Sequence, residues 1–248
     1  MERGMILLVA ALMIYVSPGV QGTAHLSFVN TTVNITRHGC GVTKLCVETP
    51  NDCDPAGNTS CLFGSVVSTT PVAPNGANLS IQLRGDSNGY VALGLTVNAS
   101  EGTTMLFICG QNSSDNGTFF FRTMQRNNTD DMLTATERRV TEIRGMVEGS
   151  VIKCEFDVPG VNASNTRTSH VTTFSILLGT GSFDGNVVGR FNATLNSGPL
   201  NLANPASNIQ TTLAPTTNTT MGNNSGAVQP HAVLLLLSVL TLSVMLRA

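Results

Sequence analysis

"LRGDSNGYVALGL", residues 83–95, decides how the rest of the chain is read. Its second half alternates: Val91, Leu93 and Leu95 fall on one face, with Val97 two residues on, and small residues take the other. A period of two is that of a half-buried strand. Its first half closes an equally regular run, "NLSIQLR", in which Leu79, Ile81 and Leu83 share a face. Between the runs stand Gly85 and Gly89, which permit positive φ, and Asp86 and Asn88, which favour turns. Two alternating runs joined this way make an antiparallel hairpin. The same segment contains Arg84-Gly85-Asp86, the tripeptide that integrins read on extracellular ligands. A turn centred on Asp86-Ser87-Asn88 puts the tripeptide at an exposed tip. One expectation is therefore an adhesion ligand acting through Arg84, Gly85 and Asp86; the simpler one is a hairpin turn and nothing more.

Outward from the hairpin the pattern repeats. "TMLFICG", "GTFFFRTM", "SVIKCEFDV", "VTTFSILLG" and "NVVGRFNATL" are short runs rich in β-branched and aromatic residues. Turn signals separate them at Asn75-Gly76, Asn88-Gly89, Asn116-Gly117, Pro159-Gly160 and Asp184-Gly185. In "DMLTATERRVTEI" helix and strand compete. Short strands at this spacing predict an all-β chain, an antiparallel β-sandwich over residues 23–200. Residues 201–224 are rich in Thr and Asn and poor in large apolar side chains. They cannot bury enough surface to offset chain entropy, and are expected to form a disordered, O-glycosylated stalk.

Both ends read as processing signals. Residues 1–22 carry Arg3, an apolar run and a small-residue site near Gly22, the layout of a cleaved signal peptide. Residues 225–248 hold a 15-residue apolar run ending two residues before the terminus. A helix of that length is shorter than the hydrocarbon core of about 30 Å. Small residues at Asn224, Ser225 and Gly226 and a polar spacer precede the run. This predicts a removed GPI-attachment signal with the lipid on Asn224 or Ser225, a single C-terminal span being the alternative.

Lys and Arg number 13 and Asp and Glu 15. Without Arg3, Arg247 and Glu2, which lie in the two terminal signals, the net charge is −3. No basic patch suggests nucleic acid as a partner. Asn-X-Ser/Thr occurs 12 times, at Asn30, Asn34, Asn58, Asn78, Asn98, Asn112, Asn116, Asn127, Asn162, Asn192, Asn218 and Asn223. Roughly five would arise by chance, so a heavily N-glycosylated extracellular chain is expected. The six cysteines then belong in disulfides. Cys53 and Cys61 are expected to close a local loop around Asn58, leaving Cys40 and Cys46 to pair with Cys109 and Cys154 in either order.

Two blocks, "CGVTKLCVETPNDCDPAGNTSCLF" (residues 40–63) and "LSIQLRGDSNGYVALGLTVNASEGTTMLFICG" (residues 79–110), carry a family likeness. Together with "VIKCEF" around Cys154 and "FSILLGTGSFDGN" from Phe174, they resemble the DOMON domain found in ferric-chelate reductase 1 and its relatives. The resemblance spans residues 26–200 and implies a β-sandwich that binds haem or sugar. Some members of that family hold b-type haem between a Met and a His and pass electrons to a membrane cytochrome. Here the family's Met position falls at Glu101 and its His position at Arg190. Neither replaces a thioether or an imidazole on iron. Met105 and His170 are the remaining candidate ligands in a shifted register, with a core Met and a solvated His as the plainer readings.

His25 and His38 lack zinc spacing, and "GTGSFDG" (residues 179–185) lacks the Lys-Ser/Thr ending of a phosphate loop. No catalytic constellation stands out, so no enzyme is expected. The reading is of a GPI-anchored cell-surface glycoprotein whose DOMON-like domain binds an unknown extracellular ligand or cell-surface protein, with no cofactor. The alternative is a haem b electron-transfer domain, which would need a separate membrane cytochrome.

Overall fold

The alternating runs fold as strands because each presents one apolar face, and two such sheets bury those faces against each other. The computed structural model describes residues 25–69, 76–112, 117–162 and 173–208. Among these residues twelve strands are present: β1 (Leu26–Phe28), β2 (Leu45–Thr49), β3 (Leu62–Ser68), β4 (Ala77–Asp86), β5 (Tyr90–Thr96), β6 (Thr103–Asn112), β7 (Thr118–Asn127), β8 (Leu133–Ala135), β9 (Val140–Glu148), β10 (Val151–Val161), β11 (Thr173–Gly181) and β12 (Asn192–Asn201). They form two six-stranded sheets, β1-β9-β10-β4-β3-β2 and β12-β11-β5-β6-β7-β8. All neighbours are antiparallel except β1, which runs parallel to β9. The all-β sandwich is as the sequence predicts.

The expected hairpin over residues 79–95 does not stay within one sheet. β4 is central in the first sheet and β5 in the second, so residues 87–89 carry the chain across the sandwich. The inner faces are the predicted ones. Leu79, Ile81 and Leu83 of β4 meet Val91, Leu93 and Leu95 of β5 in one core with Phe107, Phe121, Phe156 and Ile176. Val97 is 60% exposed, because β5 ends at Thr96, whose hydroxyl is bonded to the Asn98 and Thr103 carbonyls. The small residues on the back of β5 also have a purpose. Ala92 lies in a second apolar cluster with Leu106, Ile108 and Leu177, and a Cβ on Gly94 would come within 2.7 Å of Thr104.

Other expectations shift. The ambiguous run after Asp130 gives β8 and the start of β9, with no helix. Pro159-Gly160 is not a turn: it lies inside β10, where the register shifts and Gly160 takes φ 65° in a bulge. Residues 186–191, expected to open a strand, form a loop that lays Val188 and Phe191 on the outer face of the second sheet. The packed fold also runs past residue 200. β12 ends at Asn201, Leu202 is 1% exposed in the main core, and a 3-10 turn covers Pro205–Asn208. Residues 1–22, expected to be a signal peptide, the part of the expected stalk beyond residue 208, and residues 225–248 lie outside the described residues. Among the described residues no helix is long and apolar enough to cross a membrane.

Candidate functional site

The tripeptide is the first place where structure and sequence part. Arg84 is fully buried, and Arg84-Gly85-Asp86 forms the end of β4 rather than the tip of a turn. Arg84 sits on the outer face of the first sheet, which the N-terminal segment and the Cys53–Cys61 loop cover. Val33, Ile35, Cys46, Cys53, Cys61 and Phe63 make a small apolar cluster there. A buried guanidinium needs partners on all sides. Arg84 donates to the Thr59 carbonyl (2.9 Å), to the Cys61 carbonyl and to Asp86 Oδ2 (2.8 Å). The same Asp86 oxygen accepts the Cys61 N–H at 3.1 Å. Arg37 holds the other end of the loop through the Cys53 carbonyl (3.4 Å) and pairs with Glu48 (2.9 Å). The adhesion reading of Arg84, Gly85 and Asp86 is therefore corrected. An integrin needs both side chains free, and here they neutralise each other beneath a disulfide loop.

The disulfides correct a second expectation. Cys53–Cys61 forms as predicted, but Cys40 pairs with Cys46 and Cys109 with Cys154. The reason is topological. Cys109 on β6 and Cys154 on β10 both point inward from opposite sheets, with Cα atoms 6.4 Å apart. Cys46 points outward from β2, toward the segment that carries Cys40. Three bridges fit an oxidising compartment and an extracellular domain.

On the same outer face a polar chain runs across the first sheet. Lys44, 8% exposed, donates to the Thr36 carbonyl (2.6 Å) and Gln82 Oε1 (3.0 Å); Gln82 donates to Glu155 (2.8 Å), which pairs with Arg144 (3.2 Å). Burial pushes the Lys44 ammonium below its ordinary pKa, with Glu155 opposing the shift.

The positions that the DOMON resemblance assigns to haem ligands lie toward one margin of the second sheet. Glu101 is exposed, and its carbonyl accepts from Asn128 Nδ2 at 3.0 Å. Arg190 is bound to Asp131, which also takes Arg126 of β7. These two guanidinium donors hold the Asp131 carboxyl below the usual carboxylate range. The adjoining surface is filled by protein: Phe183 stacks on Phe120 (centroids 4.2 Å apart) under Arg122, and the Tyr90 hydroxyl donates to the Gly189 carbonyl (2.9 Å). Met105 does not share this face. It is half-buried on β6 opposite Leu95 and Gln125 and packs against the inner core, while its neighbour Leu106 faces outward. His170 lies outside the described residues. A carboxylate and an ion-paired guanidinium give haem iron no soft or imidazole donor, so these residues do not fit the group. Beside Met105 an open cleft of about 290 Å³ is lined by Gln125, Thr136, Glu137 and Arg138. Among the described residues no cluster of His, Cys, Asp or Glu is arranged to hold a metal ion.

Of the sequon asparagines, Asn30, Asn34, Asn58, Asn78, Asn98, Asn127, Asn162 and Asn192 are exposed and Asn112 is half-exposed; Asn116, Asn218 and Asn223 lie outside the described residues.

The geometry is that of a β-sandwich joined across its core by a disulfide. Comparison with known proteins places a particular likeness on it. The chain is 27% identical over 169 residues to a Danio rerio protein named "Putative ferric-chelate reductase 1", an alignment covering 68% of this chain and 28% of that one. It is 24% identical over 118 residues to the Xenopus laevis protein of the same name, covering 48% of this chain and 18% of that one. The chain thus spans less than a third of the length of either relative. No family model matches it, and no solved structure does.

Proposed function

We propose that this chain is a GPI-anchored cell-surface glycoprotein whose DOMON-like sandwich binds an extracellular ligand or partner and does not carry electrons. The observation that carries the glycoprotein reading is the solvent access of all nine described sequon asparagines. A glycan cannot be buried, and none of these positions would bury one. The anchor rests on the C-terminal sequence pattern. Phosphatidylinositol-specific phospholipase C should release the protein from expressing cells. Retention, with an intact C-terminal tail seen by mass spectrometry, would show a spanning segment instead.

The non-redox reading rests on the donors at positions 101 and 190. Ectodomain expressed with added haem and purified should show no stoichiometric Soret band. A Soret band with sharp α and β bands after dithionite would reverse the reading. Met105 and His170 variants would then show which side chains hold the iron.

A further inference from the structure

Among the described residues the C-terminal half of β9 is a sheet edge with no strand paired on its outer side. β1 covers β9 only at Val140 and Ile143, and the last bond on that side runs from the Val29 N–H to the Ile143 carbonyl, 2.9 Å. Over residues 144–148 the strand keeps its ladder to β10, and among the described residues no strand lies on its other side. An open edge is a template for another strand. Of the usual protections the run keeps only charge, at its ends Arg144 and Glu148. Residues 144–148 contain no proline, the β9–β10 register shifts only before Arg144, and no Asn-X-Ser/Thr occurs from Asn128 to Val161. Gly145 is exposed, so its backbone is not shielded by a side chain of its own. The neighbouring edge of the second sheet is open at the same height. β8 pairs with β7 only at residues 124–126, and Phe119 of β7 lies where a Cβ on Gly145 would clash.

The edge reads Arg144-Gly145-Met146-Val147-Glu148, and it complements itself. In an antiparallel pair of two copies centred on Met146, Arg144 of each stands directly opposite Glu148 of the other. Directly opposed side chains in such a ladder are close enough to interact, and opposite charges there are favourable. Arg144, Met146 and Glu148 share the outer face, and the Glu155 contact orients Arg144. Sliding the pair by two residues toward the N-terminus sets Glu142 opposite Glu148, a like-charge pair that disfavours that register. We propose that residues 144–148 of β9 pair with the same residues of a second copy of this chain, fusing the first sheets of a homodimer about a two-fold axis at Met146.

The full-length chain displayed on cells tests this. Met146→Cys puts a thiol on the axis, so a short bismaleimide should yield a species of twice the mass. Ser80→Cys, exposed on the same sheet but away from the edge, should stay single. Glu148→Lys added to Met146→Cys opposes two cations across the seam and should cut the cross-linked fraction about tenfold. Adding Arg144→Glu as well restores opposite charges and should restore the cross-link. The proposal fails if Met146→Cys is displayed normally but not cross-linked. It also fails if Ser80→Cys cross-links equally well, or if Glu148→Lys changes nothing. A charge-swapped chain that reaches the surface without recovering the cross-link rejects the register. If the swapped chain does not reach the surface, the Met146→Cys and Glu148→Lys results decide.

Discussion

Arg84→Met should abolish secretion. The side chain fits the space, but the substitution leaves the Thr59 and Cys61 carbonyls and the Asp86 carboxylate without their common donor. Breaking a fully buried charge pair from one side costs about 3–5 kcal/mol, an upper bound here because Asp86 is 26% exposed and keeps the Cys61 N–H. Domains of this size hold only about 5–15 kcal/mol in total. The loss should show as retention in the secretory pathway, or as a melting temperature lowered by many degrees in any material that escapes. Arg84→Lys should not rescue it, since a single ammonium cannot reach both carbonyls and the carboxylate in the planar arrangement a guanidinium offers. Secretion of Arg84→Met at the wild-type level would mean that the clamp is not needed. Cell adhesion to the immobilised wild-type domain should be insensitive to soluble Arg-Gly-Asp peptide; strong competition by the peptide would restore the adhesive reading.

Cys109→Ser should be the most damaging of the cysteine changes. Its bridge to Cys154 closes 45 residues, against six for Cys40–Cys46 and eight for Cys53–Cys61. Loop-closure entropy puts the long bridge at about 4 kcal/mol and the short ones at about 2–2.5 kcal/mol each. Cys109 also packs in the core that holds Phe107, Phe121 and Phe156, so the odd thiol at Cys154 would be left among aromatic rings. Thermal denaturation of the secreted ectodomain should rank Cys109→Ser below Cys46→Ser and Cys61→Ser. Equal melting for all three would show that the inter-sheet bridge adds little beyond its packing.

The inner core was legible because alternation is a local signal. Leu79, Ile81 and Leu83, like Val91, Leu93 and Leu95, declare their face within a few residues. What covers an outer face is not local. Arg84 falls on the polar side of its strand, where exposure is the natural expectation; only the return of Val33, Ile35 and the Cys53–Cys61 loop over that side buries it. The same limit explains the cysteines. Spacing revealed the short Cys53–Cys61 loop, while the Cys109–Cys154 bridge depends on which strands face each other across the sandwich. β2 and β3 give a weak signal because β2 offers only Leu45 and Val47 to the core, and Gly64 separates Leu62 from Val66 on the inner face of β3. Phe183, Val188 and Phe191 carry no strand periodicity at all, yet they close the outer face of the second sheet. The Arg190–Asp131 contact joins residues 59 apart, beyond any spacing rule.

The position of β4 in the middle of its sheet also sets a timetable for synthesis. One flank of β4 is β3, made just before it; the other is β10, whose Asp157 meets Ser80 across 77 residues of chain. At about 5–20 residues per second, the ribosome leaves that flank empty for roughly 4–15 s. During that interval β4 has only one of its two ladder neighbours, and the β10 side of Ile81 and Leu83 is unpaired. The nascent chain is therefore most exposed to lumenal chaperones after β4 emerges and before β10 does, and a slower codon choice between them would lengthen that exposure.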